Sequence, residues 1–210
     1  MVAGVTTNIT CYITTNCGSS CPFSHHNDRC SPTCLRYDPL FYHDGTERPI
    51  QRPVDADEQT EYYSGKKKCH TIKNILLIDE RCIIRFLSAT YAGKWHDKSL
   101  VDDEQYWLPA GSVLYQDMGF QGFTVADVLI QQPTKKPRGG TLTAAQKADN
   151  HRIASEKMRI EHTMGSIKRC RIIKDKIRLW QDNSRDMVMD IACGLHNFRL
   201  RYRPWHYGTL

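Results

Sequence analysis

The run Thr71-Ile-Lys-Asn-Ile-Leu-Leu-Ile-Asp79, the turn Asp79-Glu80-Arg81 and the run Cys82-Ile-Ile-Arg-Phe-Leu-Ser-Ala-Thr-Tyr91 predict an antiparallel strand pair. A pair this apolar commits the chain to a sheet, and the remaining elements must be fitted around it. Two further strands are expected, one at Leu40-Phe-Tyr-His43 and one at Ser112-Val-Leu-Tyr-Gln116. Each of these runs straight into a carboxylate: Asp44-Gly45-Thr46-Glu47 after the first, and Asp117-Met118-Gly119-Phe120-Gln121-Gly122 after the second. By alternation Leu40, Tyr42 and Asp44 share one face of their strand, as do Val113, Tyr115 and Asp117 of theirs. Gly45 is expected to turn the chain at once after Asp44, and Gly119 and Gly122 to carry it off the second strand. A strand-end carboxylate can bind a hard cation such as Mg²⁺, provided one or two partner carboxylates reach the same place. Taken singly, such an aspartate more often does no more than open a turn.

The remaining pattern is helical. Asp97 or Ser99 is placed to cap a helix through Leu100, Val101 and Tyr106, and the cap is the preferred role for Asp97. Thr124–Ile130 predicts a short helix, and residues 131–148 a basic, mobile connector. From Asp149 or Asn150 to about Lys174 runs the longest helical stretch, with Ile153, Ile160, Met164 and Ile167 on one stripe facing the sheet. Lys157, Glu161, Gly165 and Lys168 fall together on the flank of that stripe. Glu161 is therefore a third carboxylate in a basic frame, or else a surface residue paired with Lys157 one turn away. Glu156 points into the apolar stripe and needs a partner there. A last amphipathic helix covers Asp186–Phe198, and Pro204 stops it.

Charge is sorted along the chain. The net +6 divides into 0 over residues 1–39, −4 over 40–130 and +10 over 131–210. An acidic middle joined to a strongly basic C-terminal part suits a metal-carboxylate site beside a surface for phosphates, or a basic face that is merely solvated. No apolar run approaches the roughly 20 residues of a membrane span. The N-terminus lacks the basic start and apolar core of a signal peptide, so the chain is expected to act inside the cell. Residues 1–39 show neither helical nor strand period and are expected to form an irregular, disordered leader, leaving residues 40–205 as the folded domain. Five of the nine cysteines fall in the first 34 residues, which argues against a disulfide framework for the whole chain. Cys17, Cys21, Cys30 and Cys34, with His25 and His26 between them, have the residue types for zinc. They lack its usual two-residue gap and any apolar residues to form a mini-core.

A strand ending in Asp, two more strands, a helix, a strand ending in Asp and a helix bearing Glu is the order of an α/β fold, an RNase H-like mixed sheet flanked by helices. Asp44-Gly45-Thr46-Glu47-Arg48-Pro49-Ile50, Tyr63-Ser64-Gly65-Lys66-Lys67-Lys68, His96-Asp97, Asp117-Met118-Gly119-Phe120-Gln121-Gly122 and Arg159-Ile160-Glu161-His162 with Lys168 carry a resemblance. They resemble, in order, the DDE endonuclease domain of insertion-sequence and Harbinger-type transposases. The resemblance implies a catalytic trio of Asp44, Asp117 and Glu161 holding two Mg²⁺ ions, with Mn²⁺ as a substitute. It implies nicking of the element's ends and their transfer to target DNA. It also implies phosphate contacts from Lys66, Lys67, Lys68, Lys157, Lys168, Arg169 and Arg171, with DNA as partner, no membrane, and assembly of copies on DNA left open. A cytoplasmic, nucleoid-associated place in a prokaryote or a nuclear one in a eukaryote follows. Related transposases carry a helical DNA-binding region before the first catalytic strand, and residues 1–39 resemble none, so the chain reads as a truncated element. The alternative is a catalytically inactive DNA-binding relic that keeps the fold and the basic surface. A third reading makes residues 11–34 a zinc-binding DNA module.

Overall fold

A computed structural model describes residues 39–104 and 107–207 of the chain, so the predicted leader and its cysteines, with the zinc reading, lie outside the described residues apart from Pro39. The organising strand is β3, Cys69–Asp79. Its side chains are buried on both faces, which a central strand requires. Leu76 and Ile78 enter one apolar cluster and Ile75 and Leu77 another. Along one edge, β1 (Leu40–Pro49) pairs with it antiparallel. Then β6 (Val113–Tyr115) lies parallel to β1, and β7 (Leu129–Gln131) parallel to β6. Along the other edge three short strands pair with successive parts of β3: β2 (Tyr63–Ser64), β5 (Tyr91–Ala92) and β4 (Ile84–Leu87). The result is the expected α/β architecture, a mixed RNase H-like sheet between helices.

On one face Tyr42, Leu76, Ile78 and Tyr115 pack against α3 (Ala144–Ile167) and α5 (Asp182–Tyr202). On the other, Ile75, Leu77 and Leu114 meet Leu100 and Val101 of α2 (Asp97–Glu104), together with Phe120 and Phe123. The stripe Ile153, Ile160, Met164 and Ile167 is buried on α3 as its period requires. Glu156, which that period turns inward, has its partners: the Tyr42 hydroxyl donates to it at 2.8 Å and Arg159 lies 3.3 Å away.

Several expectations are corrected. Gly45 does not turn the chain. The β1 strand continues through it to Pro49 because the long β3 offers a partner at each position, Asp44 against Leu76 and Gly45 against Ile75. The run 82–91 is two strands rather than one, because the Ser88 hydroxyl accepts from the Ile75 N–H at 2.8 Å in place of a backbone carbonyl. Thr124–Ile130 is not helical. Asp127 turns the chain with φ +56, and the apolar end of the run joins the sheet as β7. A short run apolar on all sides does not by itself distinguish strand from helix.

Helix α3 begins earlier than expected, at Ala144, because Thr143 caps it and Gln146 reciprocates in a capping box. It ends at Ile167, and a turn separates it from the one-turn α4 (Arg171–Lys174). A further helix, α1 (Ala56–Tyr62), was not expected from the sequence; Asp55 caps it, accepting from the N–H groups of Asp57 and Glu58.

Candidate active site

The parallel pairing of β1 and β6 sets Leu40 beside Val113, Phe41 beside Leu114 and Tyr42 beside Tyr115. Asp44 and Asp117 each stand two residues beyond the last pair of that register, and Asp117 acts electrostatically on the Asp44 carboxyl. Adjacent strands lie about 4.8 Å apart, so the two carboxylates become neighbours although they are far apart in sequence. The residues just before them hold this register from the opposite face. His43 Nε2 lies 3.2 Å from Gln116 Oε1, the His43 ring packs 4.1 Å from that of Phe120, and both His43 and Gln116 are buried. Burial pushes the His43 imidazole down to about 3, with the Gln116 contact opposing and Lys157 adding to the fall, so it remains neutral and structural. Sequence reading gave no role to either residue; the signal was that each precedes its aspartate.

The Asp44 carboxyl is pushed up to about 6. Burial is the main cause, Asp117 and Asp97 add to it, and Lys157 with the Gly45 N–H, 2.8 Å from Oδ1, opposes it. At Asp117 burial also pushes upward, but Lys157, the Met118 N–H and Lys66 together hold the carboxyl below its usual range. Lys157 is the hinge of this arrangement. Its side chain is 13% exposed and its ammonium lies 3.2 Å from Asp117 Oδ1, so it serves Asp117 rather than Glu161 one turn along. The helical pairing considered for Glu161 is therefore not formed.

Glu161 is exposed on α3 and lines an open groove of about 350 Å³ with Asp44, Gly45, Thr46, Met164, Gly165 and Lys168. Gly165 and Lys168 continue into a second groove of about 730 Å³, lined also by Arg169, Arg171, Lys174 and Asp175. Of the predicted phosphate contacts, Lys168 lines both grooves and Arg169 and Arg171 line the second, with Arg171 held by Asp175 at 2.9 Å. Lys66, Lys67 and Lys68 form the exposed turn between β2 and β3, and Lys66 acts electrostatically on Asp117.

Asp97 does not take the expected place of helix cap. It is the first residue of α2, whose first backbone bond runs from the Leu100 N–H to the His96 carbonyl, and its carboxylate accepts from Lys73 Nζ at 3.2 Å. It also lies where Cβ atoms on Gly45 and Gly119 would point, 3.4 Å and 3.1 Å away. The Asp97 carboxylate thus leaves little room for a side chain at Gly119, while a Cβ at Gly45 would only touch it at ordinary contact distance.

Asp44 and Asp117 supply oxygen donors of the kind a hard divalent cation takes, and a cation, the Lys157 ammonium, already lies against Asp117. Among the described residues no three His, Cys, Asp or Glu side chains are gathered closely enough to hold a metal ion. One consequence is testable on the protein alone. Because the folded-state pKa of Asp44 is raised, its protonated form favours the fold, and that contribution is lost as pH rises through about 6. Asp44→Asn is therefore expected to raise stability by about 1–3 kcal/mol at pH 8. The gain should vanish by pH 4, measured as the difference in denaturant midpoint between variant and wild type.

Two carboxylates on adjacent strands with a third on the covering helix agree with the family match: the chain is a member of the DDE superfamily endonucleases, whose family model matches residues 43–197. It is similar to a probable transposase for insertion sequence element IS702 from Microchaete diplosiphon, 27% identical over 161 residues, which are 77% of this chain. The chain spans 57% of that relative's length. No solved structure matches it.

Proposed function

We propose that residues 40–205 form the catalytic domain of a transposase, a metal-dependent DNA endonuclease and strand transferase. The reading is supported above all by the parallel β1–β6 pairing, two residues beyond which Asp44 and Asp117 stand, and by the groove that Asp44 and Glu161 both line. Asp44, Asp117 and Glu161 would hold two Mg²⁺ ions, or Mn²⁺ in their place. Bound there, divalent cations supply activation of a water or a DNA 3′-hydroxyl and stabilisation of the departing 3′ oxygen.

The chain's own residues do the positioning. The His43–Gln116 contact ties β1 to the segment that leaves β6. Lys157 neutralises Asp117 in the free protein and becomes a phosphate contact once released from it. Lys168, Arg169 and Arg171 guide the backbone along the groove towards Asp44 and Glu161, while Lys66, Lys67 and Lys68 meet it from the β2–β3 turn. No covalent nucleophile is required, because the attacking oxygen comes from water or DNA. The substrates are element ends and target DNA, met in the nucleoid or nucleus, with copies assembling on them. No described helix is long and apolar enough to cross a membrane.

A second reading, a DNA-binding relic without chemistry, is favoured by the absence of a gathered three-carboxylate cluster among the described residues. Incubation of supercoiled plasmid with the protein and Mg²⁺ or Mn²⁺ separates the two. Metal-dependent nicking supports the endonuclease, whereas DNA binding with no nicking in either metal supports the relic.

A further inference from the structure

Helix α5 carries an apolar face that the fold leaves uncovered. Its inner side is spent on the core, through Met189, Ala192, Cys193 and Leu200. Its outer side presents Met187, Ile191, Leu195, Phe198 and Tyr202, each between 56% and 69% exposed. Their spacings of four, four, three and four residues keep them on one stripe along the helix, the geometry of a helix-pairing seam. Phe198 and Tyr202 already pack on one another, with ring centroids 4.9 Å apart. A monomeric protein rarely leaves so continuous an apolar stripe in water.

The charges beside the stripe indicate what covers it. Asp190 and Arg201, both exposed, are eleven residues apart, close to three full turns, so they lie on the same flank of the stripe with opposite sign. In an antiparallel pair of identical helices, the same flank of each copy meets itself in reverse. A two-fold axis near Leu195 sets Met187 against Tyr202 and Ile191 against Phe198 of the second copy; the same register brings Asp190 level with its Arg199 and within two residues of its Arg201, a long side chain on the matching flank. Gly194 lies by that axis, and a Cβ there would meet nothing within 4 Å, which leaves room for close approach. We propose that α5 pairs antiparallel with α5 of a second copy, making the chain a two-fold dimer in the absence of DNA. The interface is isologous, so each apolar contact and each Asp190–Arg201 pair occurs twice.

This proposal is independent of the chemistry at Asp44 and Asp117, and its test uses neither DNA nor metal. Sedimentation velocity of the full chain over a hundredfold concentration range reads the association. The wild type is expected to dimerise. Leu195→Glu should be monomeric at every concentration while keeping the far-UV circular dichroism spectrum of the wild type, because the site is exposed. Asp190→Arg and Arg201→Asp should each weaken the dimer at least about tenfold, since each sets like charges together twice. The double variant Asp190→Arg/Arg201→Asp should restore it. A wild type that stays monomeric throughout, as it would if residues 1–38 or another protein covered the stripe, overturns the proposal. A dimer indifferent to Leu195→Glu, or single charge variants not rescued by the double, also overturns it.

Discussion

Asp117→Asn and Asp44→Asn are each expected to lower metal-dependent nicking of DNA by on the order of 10²–10³-fold or more, the scale on which a single group that stabilises developing charge is worth its place. Both substitutions preserve shape and remove one negative charge. At Asp117 the loss is twofold in kind, because Asn neither offers a charged oxygen to a cation nor balances Lys157. At Asp44 the loss of activity should come with a gain in stability at neutral pH, since the carboxylate is held in a buried place that opposes its charge. Activity and stability moving in opposite directions at one residue distinguish a functional carboxylate from a structural one. Nicking by Asp44→Asn at the wild-type rate would remove this residue from the site. DNA binding by both variants should stay at the wild-type level or rise, because each removes a negative charge from beside the phosphate path.

The second large effect is electrostatic. If Lys66, Lys67, Lys68, Lys157, Lys168, Arg169 and Arg171 all meet phosphates, the logarithm of DNA affinity should fall with the logarithm of salt with a slope of about −6. Between 50 and 200 mM salt that is a loss of about 10³–10⁴-fold. The triple variant Lys168→Ala/Arg169→Ala/Arg171→Ala should reduce the slope by about 3 at unchanged fold, because these three line open grooves and do not belong to the core. Fluorescence anisotropy of a labelled duplex across a salt series gives both slopes. A wild-type slope below about 2, or a triple variant with the wild-type slope, contradicts the path along α3 and α4.

The parts of the fold that were legible in the sequence are those where one periodicity dominates. The strands around Tyr42, Ile75 and Tyr115 and the stripe Ile153, Ile160, Met164 and Ile167 on α3 announce themselves by alternation or by helical spacing. The parts that were not legible are those where a tertiary partner overrules local character. Gly45 looks like a turn and is a strand residue because Ile75 lies opposite it. Ser88 looks like strand and interrupts one because its hydroxyl competes for the Ile75 N–H. The segment 124–130 carries seven residues of ambiguous period, and the open edge of β6 draws its end into the sheet.

The candidate site divides in the same way. Asp117 is marked by its place just after β6 and Glu161 by its place on the helix flank, whereas Asp44 lies inside β1 and not at the strand end where the sequence pattern set it. The pairing of Lys157 with Asp117 depends on how α3 lies across the sheet, which no local pattern encodes. Asp97 was hidden for the opposite reason: a helix-start aspartate has an ordinary explanation. Only Gly119, where a Cβ would be crowded by its carboxylate, discloses the other one.

The measurement that bears most directly on a cation site at Asp44 and Asp117 is a calorimetric titration of Mn²⁺ into the wild type and into Asp117→Asn, with and without a nicked duplex to supply further oxygen ligands. The wild type should bind Mn²⁺, and the variant should lose that binding or at least half of its sites. Equal heats from the two proteins in both conditions would mean that Asp117 holds no cation, and the relic would then be the better description of the chain.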